Sequence, residues 1–373
     1  MIRVKALCLF LLFAALILLT VGCGDRRDLE DLTIALVLGI DLDSEGKLVI
    51  YESSPVFNKN AKDKEEEIGY RATTFREARE KFDSSVTALT VYGKTEVILV
   101  GKKLLEQKGW TKLLDHFYRD SQTNVTARIV AVDGPVSDII QYMKPDKPRL
   151  PTFLSKLIDT GNRRQLTVNT TLQELRRQMT DKAVTPAISQ IRKDGDVELL
   201  GTALLDEQGK FAADVSFQDS ALLQILRKQK GDISLALKVP AGQKKDLFDR
   251  NQLTLAVYNP SVKVTTDYRN GRFHFDMKVR VTVRILEKLF PFDVRKEQEK
   301  LEQMIEEQLR LKFQELIEKI QRYRIDPLGL GSYARAYRYP EWKQVQNRWG
   351  AALAQADIQV EVKAKIKYMG AVK

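Results

Sequence analysis

Two cysteines and two histidines are all that this 373-residue chain holds of either type. Cys8 and Cys23 are too few for a disulfide scaffold. His116 and His274, far apart in sequence, leave little room for an imidazole metal site or a Ser-His-Asp relay. No Gly-x-Ser-x-Gly segment offers the nucleophile of an exported hydrolase. Gly93-Lys94-Thr95 is not a phosphate loop, because Ala88 stands where the first glycine belongs and a strand, not a helix, follows. Its glycine reads as a turn residue. The apolar run over residues 6–19 is 14 residues long, short of the ~20 that cross a bilayer. No catalytic residue, metal ligand or cofactor is expected.

What is present is a folded, basic chain. The hydrophobic fraction of 43%, the charged fraction of 30% and a net charge of +11 are those of a globular protein of two or three domains. Residues 1–22 read as a signal peptide, with Arg3 and Lys5 ahead of the apolar run. The run ends in Leu19-Thr20-Val21-Gly22-Cys23, which resembles a bacterial lipobox with threonine where leucine is usual. Cys23 is the expected lipidation site and mature N-terminus, carrying diacylglyceryl and a further acyl chain such as palmitate, two signals that together hold a chain to a bilayer. The alternative is a retained signal-anchor helix with Cys23 as a bystander. Both readings place the rest of the chain outside the cytoplasm, where nucleic acid is not an expected partner.

The remaining chain reads as α+β and multidomain, with mixed sheets and helices. Residues 23–195 predict a mixed α/β domain: short apolar strands near 32–40, 48–51, 96–100 and 125–132 alternate with helices. Thr74 with Glu77, and Thr171 with Glu174, are capping boxes that start two of those helices. A charged loop is expected over 59–67. Residues 196–250 predict a small α+β unit that leans on its neighbours, with a hairpin around Gly209, a helix near 221–228 and a strand near 233–239.

Residues 251–373 give the clearest pattern. Phe273, Phe275, Met277, Val279, Val281, Val283 and Ile285 alternate with polar residues, the period of a half-buried strand. Asn270-Gly271 before it is the favoured type I′ hairpin turn. A long helix over 294–323, a break at 326–331, a helix carrying Trp342, Val345, Trp349 and Leu353, and an alternating last strand follow. The reading is a C-terminal antiparallel sheet packed by a long helix. Its polar side carries Arg272, Lys278, Arg280, Arg284, Lys363, Lys365 and Lys367. These residues are a solvated face or a docking face for acidic partner loops or anionic headgroups. His274, at a polar position, reads as an exposed strand histidine. Tyr333, Tyr337, Tyr339, Trp342 and Trp349 read as core packing in preference to a ligand cage.

Several blocks resemble the Ger(x)C spore germination lipoproteins, the C subunits of nutrient germinant receptors. They are Cys23-Gly24-Asp25-Arg26-Arg27, Leu38-Gly39-Ile40-Asp41, Thr74-Phe75-Arg76-Glu77-Ala78, Tyr92-Gly93-Lys94-Thr95, Asp326-Pro327-Leu328-Gly329-Leu330-Gly331, Tyr339-Pro340-Glu341-Trp342, and Trp349. Gly24 departs from the family's usual tryptophan. The resemblance implies a non-enzymatic lipoprotein of three α+β domains. It implies work beside membrane-embedded A and B subunits on the outer face of the spore inner membrane, by assembly or signal coupling. The other reading is a solitary extracytoplasmic lipoprotein that binds a small molecule.

Overall fold

The computed structural model describes residues 31–57, 65–86, 88–142, 147–240 and 251–368. The expected signal peptide and Cys23 lie outside these residues.

Central strands of the first sheet are short and apolar, as a sheet buried on both sides demands. After β1 (Leu32–Ile34), the chain runs through β2 (Val37–Leu42), β3 (Leu48–Pro55) and β4 (Glu65–Arg71), then α1 (Phe75–Asp83) and β5 (Leu89–Val91), which pairs with β1 alone. Next come β6 (Val97–Gly101), the turns α2 (Lys102–Leu105) and α3 (Asp115–Arg119), β7 (Arg128–Val132), α4 (Val136–Ile140), α5 (Leu150–Arg163) and α6 (Leu172–Thr180). Strands β8 (Ala187–Asp194), β9 (Asp196–Leu205) and β10 (Phe211–Val215) complete an eight-stranded sheet of order β10-β9-β8-β7-β6-β2-β3-β4. Ile98 and Val100 point into one core with Phe75, Phe82, Trp110 and Phe117. Val97 and Leu99 point into another with Ile139, Leu154 and Ile158. The N-cap half of each box forms: Thr74 Oγ1 accepts from Glu77 N at 3.1 Å and Thr171 Oγ1 from Glu174 N at 3.2 Å, while the Glu77 carboxylate accepts from Thr73 N and that of Glu174 from Arg177 and Gln178.

Two expectations change here. Part of the charged loop is β4, an edge strand whose Glu65, Glu66 and Glu67 sit opposite Pro55, Ser54 and Ser53; charge on an edge discourages further pairing. The expected boundary at 195/196 falls inside the β8–β9 hairpin, at Gly195 with φ +70°. Strands β9 and β10 pair within the first sheet, and Ile233–Lys238 pairs within the second. A small hairpin cannot bury both faces by itself, so it is shared between its neighbours.

The second sheet has the order β11-β12-β13-β14, and α7 (Phe217–Leu226) leads into it. Its strands are β11 (Ile233–Lys238), β12 (Gln252–Arg269), β13 (Arg272–Leu289) and β14 (Asp357–Tyr368). Asn270 and Gly271 take φ of 52° and 75°, as the type I′ turn requires. The alternating apolar residues of β13 face α8 (Gln298–Arg322), whose Leu301, Ile305, Leu309, Phe313, Leu316 and Ile320 are buried against them. The expected all-antiparallel arrangement is corrected at β14, which runs parallel to β13. The chain leaves β13, travels back along α8 and returns through further helices, and a crossover of that kind re-enters in the same direction. The single helix expected around 342–353 is instead α9 (Leu330–Tyr337), α10 (Tyr339–Val345) and α11 (Trp349–Ala354).

Candidate functional site

Among the described residues no helix lies on the outer face of the second sheet, and period-2 strands place their polar side chains there. Along β13 that face reads Asp276, Lys278, Arg280, Thr282, Arg284; along β14 it reads Gln359, Glu361, Lys363, Lys365, Lys367. The change from acidic or neutral to basic comes at Lys278 on β13 and one outward position later, at Lys363, on β14. Parallel register sets Lys278 beside Glu361, Arg280 beside Lys363 and Thr282 beside Lys365. On the other side β12 sets Lys263 opposite Lys278 and Ser261 opposite Arg280. Three like-charge pairs result, Lys263 with Lys278, Arg269 with Arg272 and Arg280 with Lys363, an arrangement that opposes folding.

All seven cations marked in the sequence fall on this face by register, with Arg272 at its far end, opposite Arg269 at the hairpin turn and set apart from the others by Asp276. Lys278 reaches Glu361 at 3.5 Å, Lys363 reaches Glu306 at 3.3 Å and Lys365 reaches Glu302 at 3.3 Å. The Arg284 guanidinium lies 5.7 Å from the centre of the exposed Tyr258 ring. Among the described residues, Arg280, Lys367 and Lys263 have no acidic group within ion-pair distance. Sequence reading missed Lys263 and Tyr258, although both alternate with Val262, Val264 and Val257 on β12.

Glu302 and Glu306 were also missed, and their work is structural. Glu302 Oε1 accepts from Ile366 N at 2.8 Å, and Glu306 Oε1 from Ala364 N at 3.0 Å. Gln298 Nε2 donates to Ile366 O at 3.3 Å. One ridge of α8 thus closes the free edge of β14, which would otherwise offer unpaired N–H groups to another strand. Burial opposes ionisation of Glu302, but hydrogen bonds from Gln298, Ile366 and Lys365 hold its carboxyl below the usual range. The i,i+4 spacing of the two glutamates is the one signal in the sequence.

The Asp326-Pro327-Leu328-Gly329-Leu330-Gly331 segment joins the two sheets. Asp326 is fully buried and accepts from Gly329 N, Leu330 N, Gly331 N and Trp349 Nε1 at 2.7–3.0 Å. Burial pushes its carboxyl up, and those donors oppose the shift. Its backbone exchanges two hydrogen bonds with Thr185, just before β8. A Cβ on Gly331 would meet the Ala183 carbonyl oxygen at 2.7 Å, so only glycine permits this approach. Arg335 pairs with Asp181 at 2.8 Å across the same joint. Trp342 and Trp349 are core residues as expected, whereas Tyr337 and Tyr339 are exposed.

The histidines do not meet. His274 is buried, contrary to expectation, because Asp357 beside it on β14 covers the ring and lies 3.2 Å from Nδ1. His116 packs among Phe75, Tyr92 and Phe117, and burial lowers its pKa. Gly93-Lys94-Thr95 forms a turn, with Thr95 N on Tyr92 O at 3.2 Å. Among the described residues no three His, Cys, Asp or Glu side chains converge to hold a metal. One buried acid stands apart: Glu52 on β3, where desolvation, with Asp83 and Glu66 nearby, raises the carboxyl to about 8.

Residues 25–193 match the family domain described as "Spore germination protein N-terminal domain", and residues 200–370 match "Spore germination B3/ GerAC like, C-terminal". The chain is 24% identical to spore germination protein KC of Bacillus subtilis (strain 168), covering 95% of this chain and 94% of that one. It is 23% identical to spore germination protein B3 of the same organism, covering 94% and 95%. Spore germination protein GerQC of Bacillus cereus is 20% identical, covering 90% and 93%. The crystal structure of the GerBC protein superposes with a TM-score of 0.56 at 17% identity, over 91% of this chain and 99% of that one. That likeness shows a shared multidomain α+β fold.

Proposed function

From the premise that the chain belongs to the Ger(x)C family of spore germination proteins, we propose that it is the lipid-anchored C subunit of a nutrient germinant receptor. The family is one of germination proteins and not of enzymes. In this reading Cys23 carries the lipid and tethers the folded body to the outer face of the spore inner membrane. Binding surfaces, not reacting groups, then do the work, beside membrane-embedded A and B subunits. The observation that carries the reading is the match to germination proteins along nearly the whole chain. A lipobox-like start and an exposed, charged sheet face support it. No helix among the described residues is long and apolar enough to cross a membrane.

A solitary binding lipoprotein calls instead for an enclosed cleft with convergent polar groups. The 460 Å³ groove lined by Lys263, Asp276, Lys278 and Glu361 lies on the open sheet face, which favours contact with a surface over enclosure of a ligand. The test is co-purification. Full-length tagged protein, with and without Cys23→Ala, is recovered from membranes of a spore-forming host. Multi-span subunits should accompany the parent chain, and nutrient germination should slow in the variant. Efficient membrane recovery with no partner, and normal nutrient germination without this gene, would overturn the proposal.

A further inference from the structure

We propose that the basic end of the open sheet face is a docking surface for the headgroups of anionic phospholipids. The proposal rests on the anchoring role of Cys23 given above and adds which face of the folded body meets the bilayer.

Four observations meet here. First, basic residues cluster along the sheet, since Arg280, Arg284, Lys363, Lys365 and Lys367 follow one another beyond Asp276 and Glu361, before Glu287 opposite Thr254. Second, Arg280 neighbours Lys363 while neither Arg280, Lys263 nor Lys367 has an acidic partner among the described residues. Such repulsion is relieved when an anionic surface lies against it. Third, the cations are accompanied by exposed apolar groups. Tyr258 is 39% and Leu286 48% exposed, and Tyr258 borders a 340 Å³ groove with Asn259, Thr282, Arg284 and Lys367. An aromatic ring with a polar tip among long basic side chains is the composition of a membrane interface. Fourth, β1 begins nine residues after Cys23, a length of chain that can span at most ~30 Å. An anchored chain therefore meets the bilayer continually, and a basic face turns toward anionic lipid within about 10 Å of it. An acidic protein loop would satisfy the charges but would not account for Tyr258 and Leu286 beside them.

The experiment uses the full acylated chain in two kinds of vesicle, phosphatidylcholine alone and phosphatidylcholine with phosphatidylglycerol. With Cys23 acylated and Cys8 removed with the signal peptide, Ser261→Cys supplies a single thiol on the face for a fluorophore, and Gln107→Cys supplies one on the first body. Spin-labelled lipid should quench the label at 261 in phosphatidylglycerol vesicles, much less in phosphatidylcholine, and the label at 107 in neither. Salt should reverse the quenching. The triple change Lys263→Glu, Arg280→Glu, Lys367→Glu should weaken it by roughly tenfold or more, with Lys263→Gln, Arg280→Gln, Lys367→Gln intermediate and all melting points near the parent's.

Equal quenching in both vesicle types, or quenching unaltered by charge reversal, would overturn the proposal. So would protection of position 261 only when the membrane subunits are added, which would assign the face to a protein partner. The mass of the mature N-terminus reports acylation separately. If Cys23 proves unmodified, the anchoring reading fails, while flotation of the unacylated chain with phosphatidylglycerol vesicles still decides the face.

Discussion

The two sheets of this protein differ in how many faces they bury. In β6 of the first sheet all five residues, Val97 to Gly101, are buried, because helices cover both sides of its parallel centre. In β13 of the second sheet buried and exposed residues alternate from Met277 to Val283, because α8 covers one side only. The first sheet leaves no central position free for another purpose, whereas the second frees every other position. The unpaired cations stand on those freed positions. The comparison therefore separates residues that hold the fold from residues that meet something else.

The sharpest break in the comparison comes from cutting the joint between the sheets. Asp326→Ala leaves four donors without their acceptor in a fully buried place, and the expected cost is on the order of 5 kcal/mol. Urea unfolding should show one transition in the parent and either two transitions or a low midpoint in the variant. An unchanged midpoint would mean the sheets do not depend on this joint.

Adjacent positions test the face assignments themselves. Ile98→Ala and Leu99→Ala should each cost about 3 kcal/mol, although they point in opposite directions. In β13, Val279→Ala should cost about 2 kcal/mol and its neighbour Arg280→Ala no more than about 0.5 kcal/mol. Equal costs at 279 and 280 would show that the second sheet is covered on both sides after all.

Glu52 marks a place where the covered sheet accepts a polar group. Its carboxyl is raised to about 8 when folded, from an ordinary 4.5, so the folded state holds the proton more tightly than the unfolded one. Stability from this group is complete below pH ~4.5 and declines as pH rises through about 8. Glu52→Gln should remove that decline and stabilise the protein by on the order of 2 kcal/mol at alkaline pH. Melting curves from pH 5 to 9 would show it, and parallel pH profiles for parent and variant would contradict the burial.

The smallest effect is expected at the closed edge of the open sheet. Glu302→Ala frees the Ile366 amide at a cost of about 1 kcal/mol, and hydrogen exchange should accelerate at Ile366 but not at Ile98.

These same differences decide what could be read from the sequence. The alternation in β13 was legible because one face is open, and the Asn270-Gly271 turn because its two residues tolerate positive φ. Direction was not legible at β14, since a period of two is the same for parallel and antiparallel strands. Strand β4 escaped notice because Glu65-Glu66-Glu67 shows no alternation, and it is pairing with β3 that extends it. The division expected at 195/196 lies at the Gly195 turn of the β8–β9 hairpin, and a turn inside one sheet has the same signature in sequence as a turn between units. Of the site, the cations of β13 and β14 were visible by alternation. The commitment of Lys363 and Lys365 to Glu306 and Glu302 depends on contacts 57 and 63 positions apart in the chain, and the register of β13 on β14 and the place of Lys263 opposite Lys278 are likewise set by pairing between strands. His274 was misplaced because no local pattern reports the cover that Asp357 supplies.

The most direct test of the division between fold and function is nutrient germination of spores whose chromosomal copy carries Lys263→Glu, Arg280→Glu and Lys367→Glu, measured with the amount of the chain in the spore membrane. The account predicts a normal amount of protein and slowed germination. A normal germination rate at a normal amount of protein would contradict it.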